Sequence, residues 1–208
     1  VQLVPMKAEE HAEALFEANQ LDTEGTNWAY LPYGPFADLK SYHSWVRENQ
    51  GLEDPVFLAI VEKESGRPLG IASYLRIHPA EGSIEVGHIH FSPLLQRTTS
   101  ATESMFLMMQ WAFEAGYRRY EWKCNALNQA SRRAAQRLGF SFEGIFRQMM
   151  IVKGRNRDTA WFAAIDSEWP ALKTAFERYL DEKNFDEEGK PVTSLSSLTA
   201  PLLHKKDV

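Results

Sequence analysis

One stretch limits what this chain can fold into more than any other. Residues 83–115 read SIEVGHIHFSPLLQRTTSATESMFLMMQWAFEA. A β-type run (83–92) passes through a polar turn without glycine and enters a run whose apolar residues Ala101, Met105, Met108, Met109, Ala112 and Phe113 recur at helical spacing. A strand, a short turn and a helix start present backbone N–H groups in the geometry that suits a phosphate. The same turn also reads as a plain Ser/Thr helix cap with no ligand.

The elements around it alternate without the strict order of a doubly wound fold. A short strand (2–6) precedes an amphipathic helix (8–20) with Ala12, Leu15 and Phe16 inward. Residues 22–36 form an aromatic, Pro- and Gly-interrupted loop, and 37–49 a second helix. Residues 55–63 and 69–77 make a hairpin around ESGRP. After the long helix come a strand (117–124), a helix (129–138) with Asn128 as N-cap, a closing hairpin (140–154 and 155–166) and a helix (170–182). The reading is an α+β fold: a mixed, mostly antiparallel twisted sheet flanked by helices. It spans residues 1–183 as one domain, and residues 184–208, which show no clear period, are expected to be a tail, partly ordered at best.

Composition narrows the function classes. Net charge is −5 over 208 residues, so there is no cationic excess to replace the counterions of a nucleic acid, and no nucleic-acid partner is expected. No apolar run approaches the ~20 residues of a membrane span. The N-terminal residues lack a basic and apolar signal pattern. Cys124 is the one cysteine, which suits a reducing, cytoplasmic compartment.

Three motifs carry a family resemblance. QRTTSATE (96–103) matches the pattern Q/R-x-x-G-x-G/A through Gln96 and Ala101, with Thr99 in place of the middle glycine. NQASRRAAQRLGF (128–140) has N-x-x-S and a terminal L-G-F. The third motif is the hairpin FSFEGIFRQMM…KGRNRDTAWFA (140–163). Over roughly residues 1–168 the chain resembles the GCN5-related N-acetyltransferases, and among them the branch that acetylates ribosomal-protein N-termini and small amines. The resemblance implies acetyl-CoA as cosubstrate, bound by Phe91, Gln96, Arg97, Thr98, Thr99, Ser100, Ala101, Asn128 and Ser131. Physically, N–H groups from Gln96 to Ala101 would converge on the pyrophosphate at a helix start, with the Arg97 cation and the Ser/Thr hydroxyls beside them. Thr99 suits the loop if its φ is negative; a positive φ would be costly for a β-branched residue.

Direct attack of a primary amine, from a protein N-terminus or a small molecule, needs a base for the ammonium and an acid for the departing thiolate. The resemblance assigns Ser131 to the thiolate; the alternative is a first-turn residue beside a capping Asn128. It assigns Glu85 to the base; the alternative is a solvated carboxylate at a strand end. RQMM, near Met150, offers no carboxylate where some relatives have one. The resemblance places Trp28, Tyr30, Tyr33 and Phe36 at the wall of the acceptor pocket; the alternative is an aromatic cluster that stabilises their own loop. His88 and His90 read as core histidines, with no metal expected. Cys124 reads as a buried thiol, and Arg132, Arg133 and Arg137 as a solvated face. The rival reading is a catalytically silent acyl-CoA-binding module.

Overall fold

The computed structural model describes residues 1–207, and the chain divides into two compact units. The first holds Val1–Ile77 and Val86–Ser104; the second holds His78–Glu85 and everything from Met105 on.

The first unit contains β1 (Gln2–Pro5), α1 (Ala8–Asn19), a 3-10 turn (Thr26–Trp28), α2 (Leu39–Asn49), β2 (Val56–Val61) and β3 (Pro68–His78). It also holds β4 (Ser83–Phe91) from Val86 on and the first turns of α3 (Thr99–Glu114). Its strands lie in the order β1-β2-β3-β4. The pairs β1–β2 and β2–β3 are antiparallel, with Leu3 opposite Ile60 and Leu58 opposite Ala72. Ala12 and Leu15 are buried on the inner face of α1, as their spacing predicts, and pack with Tyr42, Val46, Phe57 and Ile71. Asp38 starts α2: its carboxylate accepts the Ser41 N–H at 2.7 Å, and the Ser41 side chain answers the Asp38 backbone. Strict alternation along β4 is interrupted at His88, whose φ is +50°.

The second unit contains β5 (Arg119–Asn125), α4 (Gln129–Arg137), β6 (Ser141–Val152), β7 (Arg155–Ile165), α5 (Trp169–Leu180) and α6 (Leu195–Thr199). Its strands lie in the order β5-β7-β6, antiparallel throughout, with Trp122 opposite Phe162 and a tight β6–β7 turn after Val152. The lower part of α3 meets α5 through stacked rings, Phe106 on Phe176 and Phe113 on Trp169, each pair 5.1 Å between centroids. Gly139 ends α4 at φ +90°, and a Cβ there would stand 2.3 Å from Leu172 Cδ2. Only glycine allows both this turn and the close seat of α5.

The stretch expected to be a tail carries regular structure. Asn184 is 9% exposed and ties the segment locally, its Nδ2 donating to the carbonyls of Tyr179 and Thr193 and its Oδ1 accepting the Thr193 N–H. Ser194 caps α6, and the Thr199 hydroxyl donates to the Arg137 carbonyl at 3.0 Å. Beyond it the chain returns to β6: Phe142 N–H donates to the Lys205 carbonyl, and Arg132 pairs with Asp207. Short turns held by polar side chains leave no hydrophobic period to read, which is why the sequence looks structureless there. Among the described residues no helix is long and apolar enough to cross a membrane.

Candidate functional site

In the first unit the loop after β4 is pinned from two sides. The Gln96 amide donates to Asn27 Oδ1 at 2.8 Å and to the Phe91 carbonyl at 2.9 Å. Asn27 is held in turn by Asp22, whose carboxylate accepts its backbone N–H at 2.8 Å. Thr98 caps α3: its hydroxyl accepts the Ala101 N–H at 3.1 Å and donates to the Leu95 carbonyl at 2.7 Å. Three of the expected donors are therefore engaged inside the loop, since Gln96 N–H goes to Ser92, Thr98 N–H to Leu95 and Ala101 N–H to Thr98. The N–H groups of Arg97, Thr99 and Ser100 have no partner among the described residues. They stand at the start of a 16-residue helix, where partial positive charge collects.

The left-handed residue of this loop is Arg97, at φ +62°, and Thr99 is not among the positive-φ residues. A β-branched side chain therefore sits at that position of the motif without backbone strain. Arg97 and Thr99 are both exposed, so a cation and a hydroxyl stand beside the free N–H groups. The arrangement is both of the things its sequence suggested: a threonine-capped helix, and a set of unused donors suited to an anion.

Trp28, Tyr33 and Phe36 come together in the first unit as an aromatic cluster with Tyr42, Trp45 and Phe57. Tyr30 stands at the surface, 38% exposed. Both histidines of β4 meet the cluster: His90 stacks on Trp28 at 3.7 Å, and His88 stacks on Tyr33 with its Nδ1 3.2 Å from the Tyr33 hydroxyl. Gly34, at φ +65°, lies so close to Trp28 that a Cβ would stand 2.3 Å from the ring. Burial holds His88 at about 4, aided by the nearby Arg76 charge. It holds His90 at about 4 as well, against an opposing pull from Asp22. The unfolded chain, with histidines near 6.5, then binds more protons than the native state on acidification. Stability should be full above about pH 6.5 and fall as the pH drops toward about 4. Thermal melting at about pH 7 and about pH 5 checks this, and equal midpoints in His88→Phe/His90→Phe would assign the slope to these two rings.

In the second unit the N-terminus of α4 holds Asn128 and Ser131. Asn128 Oδ1 accepts the Ser131 N–H at 3.1 Å, and the Trp122 indole donates to Ser131 Oγ at 3.0 Å. An indole can only donate, so it uses the acceptor side of the serine, and the Ser131 O–H remains a donor with the Cys124 sulfur as one acceptor in reach. Cys124 is buried beneath, and burial pushes its thiol up, against a hydrogen bond from Ser131 that works the other way.

Glu85 is not a solvated strand end. It is 3% exposed, and its Oε2 lies 2.8 Å from Lys123 Nζ, itself 2.7 Å from Glu121. The chain continues from Glu121 to Arg119 at 2.6 Å and from Arg119 to Glu143 in a two-pronged pair. Lys123 also lies 3.9 Å over the Trp161 ring. Burial raises the Glu121 carboxyl, but the hydrogen bonds from Lys123 and Arg119 outweigh it, and the net shift is downward. Arg132 is also no free surface cation, because it pairs with Asp207 and donates to the Ala126 carbonyl.

An acetyltransferase (GNAT) domain model matches residues 1–141. A GCN5-related N-acetyltransferase from Brucella melitensis is 45% identical, with 95% of this chain and 90% of that one covered and a TM-score of 0.92. The chain belongs to the GNAT acetyltransferase family. A probable GNAT-family acetyltransferase from Chromobacterium violaceum is also 45% identical, over 81% of this chain and 84% of that one, with a TM-score of 0.76. An acetyl transferase from Salmonella typhimurium, described as modifying the N-terminal serine of a 50S ribosomal subunit protein, shares the fold at 21% identity, 78% and 93% coverage and a TM-score of 0.66. No curated protein matches the chain. The α+β fold and the family expected from the three motifs both hold.

Within this GNAT member the sequence reading missed Lys123. The signal was present: Arg119, Glu121 and Lys123 alternate charge at every second residue of a strand whose other face is Tyr120, Trp122 and Cys124. Two cations flanking an acid on one face of a strand announce an ion-pair row, and a buried acid on β4 completes it.

Proposed function

We propose that this GNAT member moves an acetyl group from acetyl-CoA to a primary amine in a ternary complex. The observation that carries the reading is the start of α3, where the unpaired N–H groups of Arg97, Thr99 and Ser100 and the exposed Arg97 side chain face no protein partner of their own. A pyrophosphate supplies the acceptors they lack. Phe91, Gln96, Thr98 and Ala101 shape that loop and need not touch the cofactor through their own hydrogen-bonding groups. Asn128 and Ser131 serve the pantetheine end.

In the step itself the neutral amine attacks the thioester carbonyl carbon, the C–N bond forms and the C–S bond breaks. Ser131 turns its hydroxyl hydrogen bond from the Cys124 sulfur to the departing thiolate, which takes up one proton. The amine nitrogen loses one, and Glu85 is the carboxylate we assign to receive it, directly or through water. Trp28, Tyr30, Tyr33 and Phe36 belong to the acceptor side. The fold shared with the Salmonella protein favours a peptide or protein N-terminus, and a small amine is the other acceptor class. We read residues 1–183 as one acetyltransferase domain in a reducing, cytoplasmic setting, in keeping with a single buried cysteine.

One observation favours the silent alternative. The Glu85 carboxylate is buried and held by Lys123, so it is not presented to an amine as a free carboxylate. Turnover separates the two readings. Acetyl-CoA should release free thiol only when an amine is added, over a panel of peptide N-termini and small amines, with the acceptor gaining one acetyl group by mass. Tight acetyl-CoA binding with no amine-dependent release across the panel selects the silent module.

A further inference from the structure

In the second unit the end of the closing hairpin stands beyond the strands beside it. β7 pairs with β5 only from Thr159 on, so from Arg155 to Asp158 it pairs with β6 alone, and residues 147–158 form a two-stranded ribbon. A ribbon this thin has no interior in which to bury apolar side chains. Ile145, Phe146, Met149 and Ile151 are exposed, Ile151 at 78%. Ile145 and Ile151 lie opposite Ala160 and Asn156, and so share the face of Asn156 and Asp158. Between them β6 bulges: Phe146 pairs with Thr159 and Met150 with Arg157, and Gln148 stands at φ +50°. Asp158 pins the bulge, its Oδ1 accepting the Gln148 N–H at 2.8 Å and the Asn156 amide at 3.0 Å. Phe146, Arg147, Gln148 and Met149 line a groove of about 810 Å3 there.

The charge of this ribbon is opposite to that of the chain. Between Glu143 and Asp158 no acid occurs, while Arg147, Lys153, Arg155 and Arg157 are cations, in a chain of net charge −5. Arg147, Lys153 and Arg155 are exposed, and the one acid, Asp158, has an oxygen committed to the bulge. Exposed apolar side chains gathered in this way mark a surface that a partner covers, and the cations among them select its charge. A second copy is a poor occupant, because it sets the same cations against these, and a bulged edge does not lie straight along another. A nucleic acid answers the cations but sets its phosphates against Met149 and Ile151, and the acidic remainder of the chain repels it. Carboxylates interspersed with apolar side chains answer both features at once. We propose that the β6–β7 ribbon is a docking surface for an acidic polypeptide segment, whose carboxylates meet Arg147 and Arg155 and whose apolar side chains cover Met149 and Ile151. This goes beyond acetyl transfer, and its test needs neither acetyl-CoA nor turnover.

The probe is a short fluorescein-labelled peptide of interspersed Glu and Leu. Its controls are matched peptides with Lys for Glu or Ser for Leu, and a short uridine oligonucleotide. Fluorescence anisotropy on the full chain should show the Glu–Leu peptide binding at least about tenfold more tightly than any control. Raising the salt from about 50 mM to about 300 mM should weaken it by about tenfold, because exposed charges are screened. Arg147→Glu/Arg155→Glu should weaken it by about tenfold or more, and Met149→Ser/Ile151→Ser by several-fold. Both variants should melt with the parent, since all four side chains are exposed. Four results would overturn the proposal: no binding of the Glu–Leu peptide; equal binding of the Lys peptide or the oligonucleotide; binding that neither double substitution alters; or a sedimenting dimer of the parent that Met149→Ser/Ile151→Ser dissociates, which seats a second copy on the ribbon.

Discussion

Ser131→Ala should lower kcat by about 10²- to 10⁴-fold while acetyl-CoA affinity holds, if the serine donates to the leaving thiolate. The expectation rests on local geometry. Trp122 donates to Ser131 Oγ at 3.0 Å and orients the hydroxyl so that its proton points elsewhere. Asn128 fixes the backbone of the same residue at 3.1 Å. An interaction made mainly in the transition state shows in kcat and not in ground-state binding. Alanine also leaves the Trp122 indole without its acceptor, at a stability cost of about 1–3 kcal/mol. Ser131→Thr keeps the oxygen and separates the two effects. It should restore much of the rate, whereas a purely structural serine would give variants that differ in melting temperature and share a near-normal kcat.

Lys123→Met should destabilise the fold by about 3–5 kcal/mol, because it leaves buried carboxylates without their cation. Glu85 and Glu121 both bond the same ammonium, and the Lys123 side chain is 7% exposed. Screening by water is weak at that depth, so the loss exceeds that of a surface ion pair. The packing of Lys123 on Trp161 is retained in part by the methionine stem. Adding Glu85→Gln to Lys123→Met should recover part of the loss, because one stranded charge goes with it. Denaturant unfolding of the single and double variants measures this. A single variant within about 1 kcal/mol of the parent would show that the pair behaves like exposed ions.

Much of the fold was legible because it is written in periodicity. The stripe from Ala101 to Phe113 gave α3 to within a residue or two, and the Asn128 and Gly139 punctuation bracketed α4. The aromatic loop gave its cluster. Hidden from the sequence was everything that depends on which polar group meets which. Gln96 matches the family motif, yet its side chain turns inward to Asn27, 69 positions away in the chain. The strained residue of the loop is Arg97 and not the threonine that replaces glycine, since φ is set by how the turn closes and not by the residue that happens to vary. Glu85 reads as a lone acid until β5 supplies Lys123. The 184–207 segment is held by Asn184, Thr199 and Asp207, single polar contacts that produce no pattern.

The central claim is that the loop from Ser92 to Ala101 receives the phosphates of acetyl-CoA. A calorimetric titration of acetyl-CoA into the parent and Arg97→Ala proteins, repeated with a pantetheine fragment that lacks the nucleotide, tests it most directly. Saturating acetyl-CoA should stabilise the native state, by about 2.7 kcal/mol at a hundredfold excess over Kd. Arg97→Ala should weaken acetyl-CoA by about ten- to a hundredfold, the worth of a charge-assisted hydrogen bond, and leave the fragment unchanged. No heat and no stabilisation with the parent protein, or equal losses for both ligands in the variant, would contradict it.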